Sequence, residues 1–452
     1  MRILIFSNAY RPAISGVVTS VSLFRRGLLS KGHDVHVIAP EYENYSDDEP
    51  YVFRFPALDI SDQADLSLVL PSRITMYPTV RRIKPSLIHS QHPVWMGHIA
   101  ANFSQDMGVP LVFTFHSRYD LYAQKYVPLV SNLAGMLTDE VVRRYLDKCT
   151  HVIAPTDSIR DFILQEYDVG VPVSVVPTPV DLSGYGDLHP QRIRAALGLE
   201  GAEVLLYVGR LSEEKNLDFL LRAFSLIARE CPRVRLLLVG KGPQAYNLKL
   251  LAQKMGIENR VLFVGAVPHE KVPHYAAMAD LCVFSSPADT QGLVLIEAMA
   301  AATPVVAVDA LGPVDVLAEG GGVLAPPVEH VFARAVVTLL SNDERRRELG
   351  AQAVRSAQRY AIPAAVTRLL LVYEAAISAG PRCVKKDLSE TWHEIGDQFR
   401  AIGAGLSAVF NTSRESEDAP RYWSAGGSRP FSLIDEMGLV LLAEVEKKRF
   451  ES

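Results

Sequence analysis

The hydrophobic positions of the chain form short runs that alternate with stretches of helical spacing, starting at the first residue. Ile3 to Ser7 is predicted to be a strand, and Val17 to Ser30 is predicted to be a helix that ends at Gly32, a suitable C-cap. Further strands of this half are predicted at 34–39, 51–55, 87–90, 111–115, 151–154 and 173–176. Apolar strands separated by helices are typical of a parallel sheet covered on both faces, so this half is predicted to be one doubly wound domain.

The alternation of strands and helices stops and then begins again in the second half of the chain. Residues 178–202 are rich in Pro, Gly and Ser around one short helical pattern, which is typical of an interdomain connection. Strands are predicted at 204–208, 234–239, 261–264, 281–284 and 304–308, with helices that begin near Asn216, Pro243, His269 and Gly292. The pattern predicts an α/β protein with two Rossmann-like domains, residues 1–177 and 203–380, facing each other across a ligand-binding cleft.

The last part of the chain, residues 381–452, departs from this alternation. Its apolar residues step by four and three in turn, as on one face of a helix: Leu388, Trp392, Ile395, Phe399, Ile402, Leu406 and Val409. A second amphipathic pattern follows around residues 433–450. We predict a helical tail, either a hairpin packed on the body or a surface for a membrane or a partner.

The composition is that of a globular protein, and the net charge disfavours nucleic acid as a partner. A chain of 452 residues is longer than one core usually serves, and 48% of its residues are hydrophobic and 21% charged. The formal net charge of -5 argues against a dedicated nucleic-acid binder. We therefore expect no nucleic-acid partner.

The cysteines and the N-terminus predict a cytoplasmic location. The four cysteines are far apart and form no C-x-x-C pair, which argues against a zinc site or a disulfide framework: Cys149, Cys231, Cys282 and Cys383. The first apolar stretch is too short for a signal sequence, and no apolar run approaches transmembrane length. We expect any membrane contact to be peripheral, at the inner face of the membrane.

Two cations follow the first strand of the second domain. Arg210 and Lys215 lie in the segment from Gly209 to Asn216, between a strand end and a helix start. Arg offers a planar bidentate fork and Lys a movable point charge, so the pair is suited to a diphosphate, although a solvated charged loop has the same composition. A second turn, Gly240 to Pro243, indicates by itself only close backbone packing.

Two acids eight residues apart form the densest signal in the sequence. Asp289 is predicted to lie on a loop and Glu297 inside the helix that begins near Gly292, so both side chains can point into one cleft. Carboxylates accept strong hydrogen bonds from vicinal hydroxyls, as in a sugar or a ribose. Isolated acid pairs are also common on protein surfaces.

The first domain contributes two weaker candidates. Gly16 directly follows the first strand region and opens a helix, where free amide groups favour a phosphate, or it serves only to turn the chain. His116 closes the predicted strand 111–115 and therefore faces the ligand crevice, unless it is an ordinary core or loop histidine.

Taken together and in this order, these motifs resemble glycosyltransferase family four, a family of retaining enzymes with the GT-B architecture. The resemblance covers about residues 1–379 and is most specific at Gly209-Arg210 with Lys215-Asn216 and at the acid pair followed by Ala298-Met299-Ala300. Within the family, the segments 92–97 and 116–128 look like the acceptor side of bacterial diacylglycerol glucosyltransferases.

The resemblance implies a role for each candidate residue. Arg210 and Lys215 would hold the donor diphosphate, Glu297 the ribose and Asp289 the transferred sugar. The remaining contacts would come from Gly16 to the phosphate, from the amides near Gly292 and Leu293, and from His116 to the sugar near its reacting carbon. We list His116, Asp289, Arg210 and Lys215 as catalytic candidates, and we expect no metal and no cofactor.

The sequence departs from the family pattern at two positions. The first acid of the motif is usually Glu, whereas Asp289 is one methylene shorter, which bears on its reach to the sugar. Ala302 stands where the family commonly has Gly, at a packing position.

The predicted activity is transfer of a hexose from a nucleotide diphosphate sugar, UDP-linked by preference, to a lipid such as diacylglycerol. A basic group in the first domain fits anionic lipid or is a solvated helix face: Arg73, Arg81, Arg82 and Lys84. The alternatives are a polyprenyl-linked or soluble glycan acceptor, and a non-catalytic sugar-binding protein of the same fold. An NAD-dependent dehydrogenase is disfavoured, because neither glycine turn gives G-x-G-x-x-G after a strand.

Overall fold

The computed structural model describes residues 1–59, 67–69, 73–119 and 131–382. The predicted helical tail lies outside the described residues from residue 383 onward, and so does the part of the Tyr-rich segment 116–128 that follows residue 119.

Strands and helices alternate along the first half, as the hydrophobic pattern predicts. In chain order they are β1 (Arg2–Phe6), α1 (Gly16–Ser30), β2 (Asp34–Pro40), β3 (Val52–Phe55), β4 (Ala57–Asp59), β5 (Ser67–Val69), α2 (Arg73–Ile83), β6 (Leu87–Ser90), α3 (Met96–Met107), β7 (Leu111–Thr114), α4 (Ser131–Lys148), β8 (His151–Ala154), α5 (Asp157–Tyr167) and β9 (Val173–Val175).

The second half repeats the alternation and ends in three helices. Its elements are α6 (Pro190–Ala196), β10 (Glu203–Val208), α7 (Leu217–Glu230), β11 (Val234–Val239), α8 (Ala245–Lys254), β12 (Val261–Gly265), α9 (Val272–Met278), β13 (Leu281–Phe284), α10 (Leu293–Ala300), β14 (Val305–Val308), α11 (Pro313–Val316), β15 (Gly322–Ala325), α12 (Glu329–Leu340), α13 (Asp343–Ala357) and α14 (Ile362–Ala379).

The first sheet is parallel and has the strand order β3-β2-β1-β6-β7-β8-β9. Strand β1 lies between β2 and β6, with Ile3 opposite Val35 on one side and Leu87 on the other. The chain winds outward from β1 in both directions, so the crevice between β1 and β6 is the topological switch point where such sheets bind ligands. The loop that leads to Gly16 leaves the sheet at this point.

The second sheet has the same plan, with the order β12-β11-β10-β13-β14-β15 and every strand pair parallel. Its switch point lies between β10 and β13, where Leu205 pairs with Leu281. The loop after β10, residues 209–216, carries Arg210 and Lys215 and is the cation loop. The loop between β13 and α10, residues 285–292, carries Asp289 and is the acid loop. Adjacent strands therefore bring both loops to one edge of the sheet. The prediction of two Rossmann-like α/β folds is confirmed. Strand β15 and the antiparallel β4–β5 pair were not predicted.

The last described helix, α14, packs on the first sheet. Its buried residues share a core with Ile3, Ile5 and Val37: Ala365, Val366, Leu369, Val372, Tyr373 and Ala376. Gly27 of α1 permits this approach, because a Cβ atom there would lie 2.5 Å from Val366 Cγ2. The helix therefore belongs by its contacts to the core of the first sheet.

Helix α14 also corrects one expectation from the sequence. Among the described residues, Ile362–Ala379 is long and apolar enough to cross a membrane by length and composition alone, so an apolar stretch of that length does exist. One third of this helix is buried, in the core of the first sheet, and Arg368 and Glu374 lie within it.

Candidate active site

The cation loop after β10 is shaped by close contacts between backbone segments. Gly209 has a φ of 151°, and Gly240, in the turn after β11, has a φ of 146°. A Cβ atom at Gly240 would lie 1.8 Å from the Gly209 carbonyl oxygen, which only glycine avoids. The close packing predicted for the Gly240 turn is therefore confirmed. Tyr207 Oη donates to the Arg210 carbonyl at 2.9 Å and fixes the start of the loop.

Lys215 and Asp289 form an ion pair between the cation loop and the acid loop. Lys215 Nζ donates to Asp289 Oδ1 at 2.8 Å and to Oδ2 at 2.9 Å. The two side chains are 21% and 23% exposed, so solvent reaches the pair. The residues predicted to hold a diphosphate and a sugar thus lie in one site and, in this structure, bind each other.

Glu297 lies more than one turn inside α10 and is buried. Gly292, the N-cap of this helix, has a φ of 80°, so the chain turns sharply between Asp289 and the helix. His269 Nε2 lies 3.6 Å from Glu297 Oε1. Burial raises the pKa of the Glu297 carboxyl, and the charge of His269 opposes that shift. Burial also raises the pKa of Tyr185, and the Glu297 charge adds to the shift.

Gly16 and His116 bring the first domain to the same place. Gly16 is the first residue of α1, and a Cβ atom there would lie 3.9 Å from Leu293 Cδ1 at the start of α10. The carbonyl oxygen of His116 accepts a hydrogen bond from Thr290 Oγ1 at 2.8 Å, beside Asp289. The starts of two helices and the end of β7 therefore meet at the acid loop.

The imidazole of His116 is neutral at neutral pH. Burial lowers its pKa well below the ordinary value, and the neighbouring His92 and His89 lower it further. His116 Nε2 lies 2.7 Å from Gln91 Oε1, so Nε2 carries the hydrogen and Nδ1 is left as the acceptor of the ring.

The structure adds site residues that the sequence did not single out. Thr290 and Gln291 lie between the predicted Asp289 and Gly292 and contact the first domain, and His269 lies beside Glu297. Position within the acid loop was the one available signal for Thr290 and Gln291. Across the described ranges, no group of three or more His, Cys, Asp or Glu residues is arranged to hold a metal ion.

Comparison with known proteins gives two family models that match adjoining parts of the chain. Residues 14–183 match the model described as Glycosyltransferase Family 4, and residues 190–356 match Glycosyl transferases group 1. The first match includes every strand of the first sheet except β1, and the second match includes all strands of the second sheet.

Two relatives carry the name alpha-monoglucosyldiacylglycerol synthase. The one from Streptococcus pneumoniae is 28% identical over 314 residues, which cover 68% of this chain and 71% of the relative. The one from Acholeplasma laidlawii is 30% identical over 322 residues, which cover 68% of this chain and 80% of the relative.

A solved structure shares the fold over most of the described chain. The structure of Anabaena Alr3699/HepE in complex with UDP and glucose has a TM-score of 0.65 at 18% identity, covering 83% of this chain and 100% of that one. The two parallel sheets, the two family models and the relatives all indicate the same family and the same fold. The chain belongs to glycosyltransferase family four and is a glycosyltransferase of GT-B architecture.

Proposed function

We propose that this glycosyltransferase is a retaining hexosyltransferase that moves a hexose from a UDP-linked sugar to a lipid acceptor such as diacylglycerol. The observation that carries the proposal is the contact of Lys215 Nζ with the Asp289 carboxylate at 2.8 Å. It brings together, at the switch point of the second sheet, the cation that we propose for phosphate and the acid that we propose for sugar hydroxyls. The names of the two relatives support the lipid acceptor, and the UDP and glucose bound to Anabaena HepE support the donor.

The diphosphate of the donor would lie between cations and helix starts. Arg210 and Lys215 supply positive charge, while the free amides of Gly292 and Leu293 and the first turn of α1 at Gly16 supply hydrogen-bond donors. Such groups stabilise the negative charge that grows on the departing diphosphate. This proposal places the donor on residues 203–380 and the acceptor on residues 1–177.

Donor binding would change the partner of Lys215. The two phosphates of the donor together carry more negative charge than one carboxylate, so the Lys215 ammonium would turn toward them and release Asp289. The released carboxylate would then accept hydroxyl groups of the hexose. The ion pair thus fills the sugar site with a polar contact until the donor replaces it.

Glu297 would bind the ribose. Its burial makes an unpaired charge costly, and a pair of ribose hydroxyls satisfies a carboxylate through two hydrogen bonds. His269, at 3.6 Å, lies close enough to contribute to the same pocket.

His116 would contact the hexose near the reacting carbon, as the family resemblance implies. In the retaining reaction of the family, the acceptor oxygen attacks the anomeric carbon on the face from which the diphosphate leaves. The acceptor proton passes to an oxygen of the departing phosphate. A neutral imidazole with Nε2 held by Gln91 is suited to orient hydroxyl groups without competing for that proton.

A lipid acceptor requires contact with a membrane, which we place on the cytoplasmic face of the lipid layer. The exposed cations at the end of α2 and just after it are suited to anionic lipid: Arg81, Arg82 and Lys84. The side chain of Arg73 lies outside the described residues.

The proposal is tested by a screen of donors and acceptors with the full chain. UDP-glucose, UDP-galactose and GDP-mannose are each offered with diacylglycerol vesicles, a polyprenyl phosphate and soluble sugars, and products are identified by mass spectrometry. We expect a hexosyl diacylglycerol with the anomeric configuration of the donor. Product on a polyprenyl or soluble acceptor would replace the lipid assignment. Donor binding without any turnover would leave a sugar-binding protein.

A further inference from the structure

The loop between Asp289 and Gly292 is hydrogen-bonded at three separate points to residues that follow strands of the first sheet. Thr290 Oγ1 donates to the His116 carbonyl at 2.8 Å, and Thr156 Oγ1 donates to the Thr290 carbonyl at 3.0 Å. Gln291 Nε2 donates to the Thr178 carbonyl at 3.0 Å, and Gln291 Oε1 accepts from the Thr178 amide at 2.8 Å. Two consecutive residues thus hold the acid loop to the other sheet.

The three contact points follow three neighbouring strands of the first sheet. His116, Thr156 and Thr178 come two or three residues after β7, β8 and β9, which pair in that order. Parallel strands end at one edge, so the acid loop lies along the carboxyl edge of the first sheet. This is the edge where an acceptor is expected to bind.

Three of these four hydrogen bonds are buried, and the bond from Thr290 Oγ1 to the His116 carbonyl is partly buried. Thr290 and Gln291 are 8% and 4% exposed, and Thr156 and Thr178 are 3% and 6% exposed. When one partner of a buried hydrogen bond is removed, the other finds no water to replace it, and this loss is energetically costly. Buried hydrogen bonds therefore fix the relative position of the groups that they join.

The acid loop is also supported from behind by its own domain. A Cβ atom at Gly312 would lie 2.5 Å from the Asp289 carbonyl oxygen and 2.8 Å from the Thr290 carbonyl carbon. The Gly312 amide in turn donates to Ser158 Oγ at 3.1 Å. The loop is therefore confined between the Gly312 backbone and the first sheet.

We infer that Thr290 and Gln291 are positioning residues that fix the distance between Asp289 on the donor side and His116 on the acceptor side. Their side chains bind main-chain atoms of the first domain, so they act through the placement of other groups. This inference rests on the proposed sugar transfer. Without these hydrogen bonds the donor sugar is less often aligned with the acceptor, so a larger fraction of the donor is hydrolysed by water.

The test compares Thr290→Val with the matched variant Thr303→Val. Both threonines are buried and donate Oγ1 to a main-chain carbonyl, but Thr303 binds Ala276 within the second domain at 2.6 Å. For Thr290→Val we expect transfer to the acceptor to fall on the order of 10-fold. The hydrolysed fraction of the donor should rise, and the Kd for UDP should stay within about twofold. Thr290→Ser keeps the hydroxyl and should restore the parental ratio of transfer to hydrolysis. Thr303→Val should leave this ratio unchanged.

Gln291→Met gives a second, independent variant if Thr290→Val does not fold, and it should shift the partition in the same direction. Equal hydrolysed fractions in the parent and the folded variants would overturn the inference while leaving the proposed function intact. A parent without transfer activity would instead refute the proposed function. In that case, hydrogen exchange of the backbone amides in segments 154–158 and 288–293 tests the positioning role independently of activity. It should accelerate in Thr290→Val and not in Thr303→Val, and unchanged exchange would overturn the positioning role.

Discussion

The ion pair of Lys215 and Asp289 joins two charges that the proposed donor would separate. The pair is partly exposed, so its own contribution to stability is small, about 1 kcal/mol or less. The shorter Asp289 side chain reaches Lys215 fully, with both carboxylate oxygens in hydrogen-bond range. The departure from the usual Glu therefore keeps an acid in the site.

Asp289→Asn should lower sugar transfer on the order of 10- to 100-fold, because it removes the charge that the proposed hydrogen bonds to the hexose require. Binding of UDP should change little, since Arg210, Lys215 and Glu297 remain. Glu213→Gln removes one exposed acid from the same cation loop and serves as the control. Steady-state transfer and calorimetric UDP binding measure the two effects. An Asp289→Asn variant with parental transfer rates would refute the sugar contact.

His89 is a buried histidine whose protonation opposes folding. Its two ring nitrogens lie 2.7 Å from Tyr373 Oη and 2.7 Å from Thr114 Oγ1. Burial lowers its pKa to about 3 from an ordinary value of about 6.5. The imidazole is thus neutral in the folded protein. As the pH falls below about 6.5, the unfolded chain binds a proton that the folded chain does not.

The stability supplied by a neutral His89 is therefore complete above pH 6.5 and is lost progressively toward pH 3. Its contribution to the unfolding free energy should fall by about 2 kcal/mol between pH 7 and pH 5. In His89→Gln this part of the pH dependence is absent. The stability difference between parent and variant, from urea denaturation, should shrink by that amount. A difference that is constant with pH would contradict the expectation.

At the scale of secondary structure, helix α5 receives its N-terminal cap from the other domain. Its N-cap residue Thr156 makes no capping bond, and its hydroxyl donates to the Thr290 carbonyl. Asp315, from α11 of the second domain, accepts from the Ser158 amide with both oxygens, at 3.3 and 3.2 Å. A carboxylate at a helix N-terminus also interacts favourably with the helix dipole.

Asp315→Ala should lower the free energy of unfolding by about 1 to 2 kcal/mol and accelerate amide exchange in the first turn of α5. Asp343→Asn, an exposed acid in the first turn of α13, should change stability by only a few tenths of a kcal/mol. Chemical denaturation and hydrogen exchange provide the measurements. Unchanged exchange in α5 would show that Asp315 does not cap it.

The strands could be predicted from the sequence because each buried strand is a continuous apolar run, as in Val204 to Val208. Strand β15 was not predicted from the sequence, because Gly322–Ala325 is short and begins with a glycine. The hydrogen bonds of Thr290 and Gln291 could not be predicted from the sequence for another reason. They join residues far apart in sequence through polar side chains, which leave no periodic pattern. Likewise the apolar stripe of α14 predicts a helix but cannot indicate which sheet it covers.

At the scale of the whole molecule, positive charge is concentrated locally although the net charge is -5. Arg81, Arg82 and Lys84 are exposed, and the Arg81 guanidinium lies 6.0 Å from the centre of the half-exposed Tyr77 ring. Basic side chains above an aromatic ring are suited to the surface of an anionic membrane.

Replacing these three cations by Gln should weaken binding to phosphatidylglycerol vesicles on the order of 100-fold, at about 1 kcal/mol per residue. Three exposed cations of α13 provide the matched control, replaced together by Gln: Arg345, Arg347 and Arg355. Vesicle sedimentation at low and high salt measures binding. Equal loss in both triple variants would indicate an effect of net charge alone.

Helix α14 completes the core of the first sheet although it is made last among the described elements. The ribosome synthesises β1, α1 and β2 long before α14, so the part of the apolar face that α14 covers stays exposed while the whole second domain is translated. The first domain therefore cannot complete its core before the second domain has been translated. A message truncated before the codon for Ile362 would release a chain with a complete second sheet and a first sheet that lacks the cover of α14, a substrate for chaperones and proteases.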